Sequence, residues 1–175
     1  RTMYSHTTAN KIVAVGDAAL QTLTTGNSNV SIGMRASQYN TVGSNQVVIG
    51  TEAGRYATGS SNTFVGANAG KGGTTSAPFS SGENNTAVGY TAFDAFTTAG
   101  YNVHVGHSAG TSITTGDANT SVGYEALRDQ ATSANNTAIG TNALSNSEAA
   151  DNTAVGKSAG DTIISGAENT LLGCN

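Results

Sequence analysis

Short bursts in which every second residue is β-branched punctuate the chain. Val13-Ala14-Val15, Val30-Ser31-Ile32, Thr86-Ala87-Val88 and Val103-His104-Val105 are four of them, and a Gly follows each burst. Aligned on that Gly, the column reads Gly16, Gly33, Gly50, Gly66, Gly89, Gly106, Gly123, Gly140, Gly156 and Gly173. Successive gaps are 17, 17, 16, 23, 17, 17, 17, 16 and 17 residues, so one unit of about 17 runs the length of the chain with a single insertion. A motif at such a period is architecture rather than a site.

The columns around the Gly define the unit. One residue before it stand Val15, Ile32, Ile49, Val65, Val88, Val105, Val122, Ile139, Val155 and Leu172, and three before it only Val or Thr occurs. Four before it, Asn fills eight of ten places, Asn85 and Asn102 among them, with Ile12 and Gln46 as the exceptions. Three after it stands Ala in every complete unit, from Ala19 through Ala92 and Ala109 to Ala159. Residues two apart on a strand share a side, and β-branched side chains favour a pleated surface. The burst therefore predicts a short strand. A helical repeat would space its apolar residues by three and four and would carry few Gly.

Stacked in parallel, equivalent strands put each Val on the Val of the next coil and each Asn beside the next Asn, where a ladder of side-chain amides can form. The Gly allows the positive φ or close approach of a tight corner, and the Ala fits a thin core. A second turn signal, "TTG" at Thr24 to Gly26 and Thr114 to Gly116, predicts a second corner and a second, less regular strand in each coil. The fold class is all-β: a parallel β-solenoid, of the β-roll or β-helix kind, with about ten coils in one domain over residues 1–175. The unit starts and stops mid-coil without an obvious cap, and solenoids need capped ends. A fragment of a longer fibre is the expectation.

Facing is assigned by taking the β-branched columns as the core side. Ala14, Ser31, Val48, Phe64, Ala87, His104, Ser121, Ala138, Ala154 and Leu171, two before the Gly, then point outward, and seven of these ten are apolar. Such a face is unusual in water. It is expected to be buried against sister subunits, most simply three around a common axis.

Composition narrows the function. Only 10% of the 175 residues are charged, the net charge is −4, and there are seven Lys and Arg. That leaves little to neutralise a phosphate backbone or hold an anionic membrane, so nucleic acid and lipid are set aside as partners. No apolar run approaches the roughly 20 residues of a membrane span. Cys174 is the only cysteine, so neither an internal disulfide nor a CxxC metal site is expected. The acids are scattered, no G-x-S-x-G, HExxH or P-loop occurs, and the regular turn Asp of calcium-binding β-rolls is missing. Neither an enzyme, nor a cofactor, nor a metal site is expected.

The break in rhythm, "KGGTTSAPFSSGEN" at residues 71–84, predicts a loop insertion. Phe79 at its tip could stack on a sugar ring, with Ser76, Ser80 and Ser81 as polar neighbours beside Pro78. Tyr90 and Tyr124, just past corner glycines, are expected outside as a shallow carbohydrate platform. Phe93 occupies a column filled elsewhere by Leu20, Leu127 and Leu144, which predicts core packing. His104 and His107 should point to opposite faces, so one chain offers no chelate, although three His104 side chains could meet on a trimer axis.

At "NNTAVGYTAF" (84–93), "NTFVGANAG" (62–70), "NTAIGTNAL" (136–144) and "NTAVGKSAG" (152–160), the sequence resembles the NTAVGxxAG repeats of bacteriophage tail fibres. It is also similar to the head repeats of trimeric autotransporter adhesins, which are left-handed parallel β-rolls. The unit of about 17 and the Thr after Asn depart from the adhesin pattern and favour the phage fibre. The resemblance implies a homotrimeric, extracellular segment of a virion tail fibre that binds a host receptor, with a glycan as the candidate. A bacterial adhesin head is the alternative. An ice-binding solenoid is a further one, disfavoured here because the regular Thr column is assigned to the inward side.

Overall fold

A computed structural model describes residues 7–73 and 79–174. Among them there is no helix. Ten three-residue strands, β1 (Val13–Val15), β2 (Val30–Ile32), β3 (Val47–Ile49), β4 (Thr63–Val65), β5 (Thr86–Val88), β6 (Val103–Val105), β7 (Thr120–Val122), β8 (Thr137–Ile139), β9 (Thr153–Val155) and β10 (Thr170–Leu172), follow one another. They form one parallel sheet in sequence order. Register is strict: Thr86 pairs with Val103 and that with Thr120, while Val88 pairs with Val105 and that with Val122. The chain is a β-solenoid whose ten strands are joined by nine turns of the coil.

The facing is the reverse of the expectation. The middle residue of each strand points into the chain's own core: Val48, Phe64, Ala87, His104, Ser121, Ala138 and Ala154 are completely buried, and the β-branched residues on either side face out. The column two before the Gly is therefore not a surface for sister subunits, and no His104 can reach an axis between chains. The reason is the width of the core. Leu23, Phe96 and Ile113, seven after the Gly, are buried toward the second corner; beside the sheet, the turn that follows its own corner Gly leaves room for one inward side chain per strand and one from the facing wall, four residues after the Gly.

Those two positions share a fixed space. Where the strand contributes a bulky residue, the wall contributes Gly: Val48 with Gly54, Phe64 with Gly70, His104 with Gly110. Where the strand contributes Ala or Ser, the wall is filled instead in four coils, Ala14 with Leu20, Ala87 with Phe93, Ser121 with Leu127 and Ala138 with Leu144, whereas Ala154 faces Gly160. The exclusion is direct, because a Cβ added at Gly70 would collide with the Phe64 ring. Ser31 and Ser37 make a third solution, a hydrogen bond of 2.9 Å between their hydroxyls. The Ala column is the floor of this core: Ala19, Ala36, Ala53, Ala69, Ala92, Ala109, Ala126 and Ala143 are fully buried.

Each coil has one strand, not two. The remainder is tight turn, and the only other β-pairing among the described residues is an isolated bridge between Ala57 and Ser80. Coil six shows how the chain closes so quickly: Tyr101, Gly106, Ser108 and Gly110 all have positive φ. Leu20, Phe93, Leu127 and Leu144 hold the same left-handed conformation, which is unfavourable for bulky residues. Bonds between coils hold them there, because the turns continue the parallel pairing: Phe93 N–H donates to Ala109 O at 3.0 Å and Leu127 N–H to Ala143 O at 3.1 Å. At the corner, Gly106 has φ +140°, and an added Cβ would collide with the carbonyl of Gly123 in the next coil. Both conformation and stacking demand the Gly.

The Asn ladder exists with different wiring. Each Asn side-chain oxygen accepts the backbone N–H of its counterpart in the next coil: Asn102 N–H to Asn85 Oδ1 at 3.0 Å, Asn119 N–H to Asn102 Oδ1 at 2.8 Å, Asn136 N–H to Asn119 Oδ1 at 2.9 Å. The amide nitrogens mostly turn to loop carbonyls, as Asn85 Nδ2 does to Ala99 O. Amide-to-amide bonds, such as Asn102 Nδ2 to Asn85 Oδ1 at 3.2 Å, are the minority. The ladder ties the strand entry to the second corner as well as coil to coil.

Candidate functional site: an outward β-branched face and its borders

With the facing reversed, the sheet presents water with the columns one and three before the Gly. Val13, Val15, Ile32, Val47, Ile49, Val103, Val122 and Ile139 are each more than a third exposed. Ordinary soluble proteins scatter such residues, whereas here the two outward columns run in register along all ten strands, half-buried at β4, β5 and β9 and more exposed in the others. The stripe changes along its length. Its first three strands carry Val at the column three before the Gly, and its last four carry Thr120, Thr137, Thr153 and Thr170.

Aromatic rings border the stripe in mid-stack. Tyr90, His107 and Tyr124, each next to a corner Gly, stack in one column with centroids 5.2 and 5.3 Å apart. Both tyrosines are about half exposed, so their outward placement agrees with the sequence expectation. One face of each tyrosine lies against His107, so the two form a single three-ring column rather than separate rings. His107 Nδ1 bonds Ser108 Oγ at 2.9 Å, and a hydrogen bond to Glu125 holds the Tyr124 phenol above its ordinary range. Tyr101, on the other border beside Val103, is the most exposed aromatic among the described residues, at 71%. Sequence reasoning passed over it, although its place two before an outward Val was the available signal.

Phe79 does not stand clear. It lies against Tyr39 and Tyr56, with centroid separations of 5.1 and 6.1 Å, while Tyr39 and Tyr56 stack at 5.3 Å. Arg55 covers the Tyr56 ring at 4.9 Å. Alongside, Glu52 takes contacts from Arg35, Arg55 and Lys71 at 3.0, 3.1 and 3.2 Å. Burial works against the Glu52 carboxylate, but the bonds from Arg35 and Lys71 and the charge of Arg55 prevail and hold its pKa below the ordinary range. Asp94 is the opposite case: burial raises it, although Thr111 Oγ1 donates to it at 2.6 Å. Of the serines assigned to the insertion, Ser80 is buried in the bridge to Ala57, and Ser81 N–H pairs with Thr97 O. Ser76 and Pro78 lie outside the described residues.

Among the described residues no three His, Cys, Asp or Glu side chains come together as metal ligands would. His104 and His107, three apart in sequence, are divided between core and surface. The candidate site is thus a surface: the β-branched stripe with its aromatic borders. No protein-family model, curated protein or solved structure matches the chain.

Proposed function

We propose that the chain is a structural segment of an extracellular attachment fibre, of the kind that carries a phage tail to its host. It assembles as a homotrimer through the outward β-branched stripe. The observation that carries this reading is the stripe itself, nine rungs of Val, Ile and Thr and a tenth of Thr170 and Leu172, facing out from a protein with its own separate core. Its partner must repeat at the rise of a coil over many rungs, and a second copy of the same chain does so by construction. Three such faces closing on an axis leave none exposed. The role is mechanical: the stack is a stiff rod that spaces or presents a receptor-binding surface, with a host glycan as the receptor class. The same assembly would serve a bacterial adhesin head.

The test is absolute mass by light scattering after size exclusion, on the chain and on a Val105→Lys/Val122→Lys variant. Three copies falling to one in the variant is the expected result. A wild-type monomer refutes the interface. A second reading then gains weight, since Thr120, Thr137, Thr153 and Thr170 each lie outward with an aliphatic residue two positions on. A flat, regular Thr array of this kind is what an ice-binding solenoid presents, and ice-recrystallisation inhibition by the monomer decides it.

A further inference from the structure

His104 is the single ionisable side chain among the ten mid-strand positions that point into the core. It is completely buried at β6, its ring stacked on Phe93 with centroids 4.6 Å apart. Nδ1 lies 2.7 Å from Ser121 Oγ, and Nε2 is buried without a hydrogen-bond partner. Gly110 makes the space for it, because a Cβ there would sit 2.5 Å from Nδ1. The flanking strands β5 and β7 carry no titratable group. On the adjoining turns, Asp94 is engaged by Thr111, His107 belongs to the outer ring column, and Glu125 is paired with Arg128. No carboxylate is placed to receive a charge on this imidazole.

We propose that His104 is an acid-responsive latch, which holds coils five to seven closed while neutral and releases them when the imidazole takes up a proton that the closed core cannot solvate. The direction follows from linkage. Burial lowers its pKa from 6.5 to about 3, so the opened form binds the proton more tightly than the closed one. The contribution to stability is complete above the unfolded value and is lost as pH falls from about 6.5 toward 3. Each opening takes up one proton, so the open population rises by about tenfold per pH unit across that window. Solenoids suit such a device, because each coil contacts only its neighbours and can open locally.

The experiment is hydrogen exchange of the whole chain followed by mass spectrometry between pH 7.5 and 4, corrected for intrinsic exchange. A His104→Phe/Ser121→Ala variant is run beside it, its Phe facing Gly as Phe64 faces Gly70. Protection of residues 84–127, across β5 to β7, should fall about tenfold per pH unit below 6.5 in the wild type and stay level in the variant. Equal slopes in both proteins, or a loss spread evenly over all coils, overturn the latch. The imidazole resonance of His104 in the folded wild type supplies a check that needs no variant. It should not titrate between pH 7.5 and 4, and a midpoint near 6.5 overturns the proposal.

Discussion

Moving bulk from one wall of the core to the other should cost far less than removing it. Phe64 fills coil four from the sheet side opposite Gly70, while Ala138 and Leu144 divide the space the other way four coils on. Phe64→Ala alone removes a fully buried ring, a loss of about 3–5 kcal/mol. Gly70→Leu alone drives a Cβ into that ring, which costs about 1–3 kcal/mol in overpacking, and adds about 1 kcal/mol for a side chain at φ +54°. Independent effects would therefore destabilise the double variant by about 5–9 kcal/mol. Phe64→Ala/Gly70→Leu instead recreates an Ala–Leu pair whose Leu is tolerated at φ 48° in Leu144, and should lie within about 2 kcal/mol of wild type, a coupling of 3 kcal/mol or more. Thermal midpoints of the four proteins measure the cycle, at about 2–4 °C per kcal/mol for a chain of this size. If the double variant is no more stable than Phe64→Ala, the two walls do not share one space and the assignment of the core face fails.

Other substitutions test neighbouring columns. Ala109→Leu, in a fully buried column, should destabilise by about 1–3 kcal/mol through overpacking, and an unchanged urea midpoint contradicts the thin core. Asn102→Ala strips the acceptor from the Asn119 N–H and the donor from Gly100 O and Gly116 O and should cost about 1–3 kcal/mol, read by calorimetry; an unchanged midpoint contradicts the ladder. Asp94, raised by burial, is penalised when ionised in the folded state. Asp94→Asn should therefore increase the thermal midpoint at pH 7, with the gain shrinking as pH falls through the carboxylate range; a gain independent of pH removes burial as its cause.

The period, the short strands, their parallel stacking and the roles of Gly and Ala were all legible in the sequence, because each rests on a column repeated nine or ten times. Facing was not. A period of two says which residues share a side without saying which side is inside, and here both sides are apolar. Strand preference drew Val and Ile inward on paper, whereas a core this narrow admits only the residue between them. The deciding signal lay six residues away: Phe64, His104 and Val48 are answered by Gly, and Ala87 and Ala138 by Phe93 and Leu144. The missing second strand was less accessible, since Leu20, Phe93 and Leu127 in left-handed conformation contradict their local preferences and are held by bonds from adjacent coils. At the borders of the stripe, residue type placed Tyr90 and Tyr124 outside. That His107 would fill the gap and cover one face of each emerged only from stacking three successive corners.

Strict register also bears on how such a chain can change over time. Every strand bonds the same three positions of the next, and the Asn, Gly and Ala columns meet their own kind above and below. A whole unit can therefore be duplicated or excised where the cut keeps each inward strand residue with its facing wall position, as between Asn102 and Asn119, which moves His104 together with Gly110 and leaves Ser121 with Leu127. Length becomes a quantity that recombination can adjust in single steps without redesigning any contact. The 23-residue unit, whose additional residues leave β4 and β5 paired in register, shows the complementary freedom: sequence can be added sideways without disturbing the count.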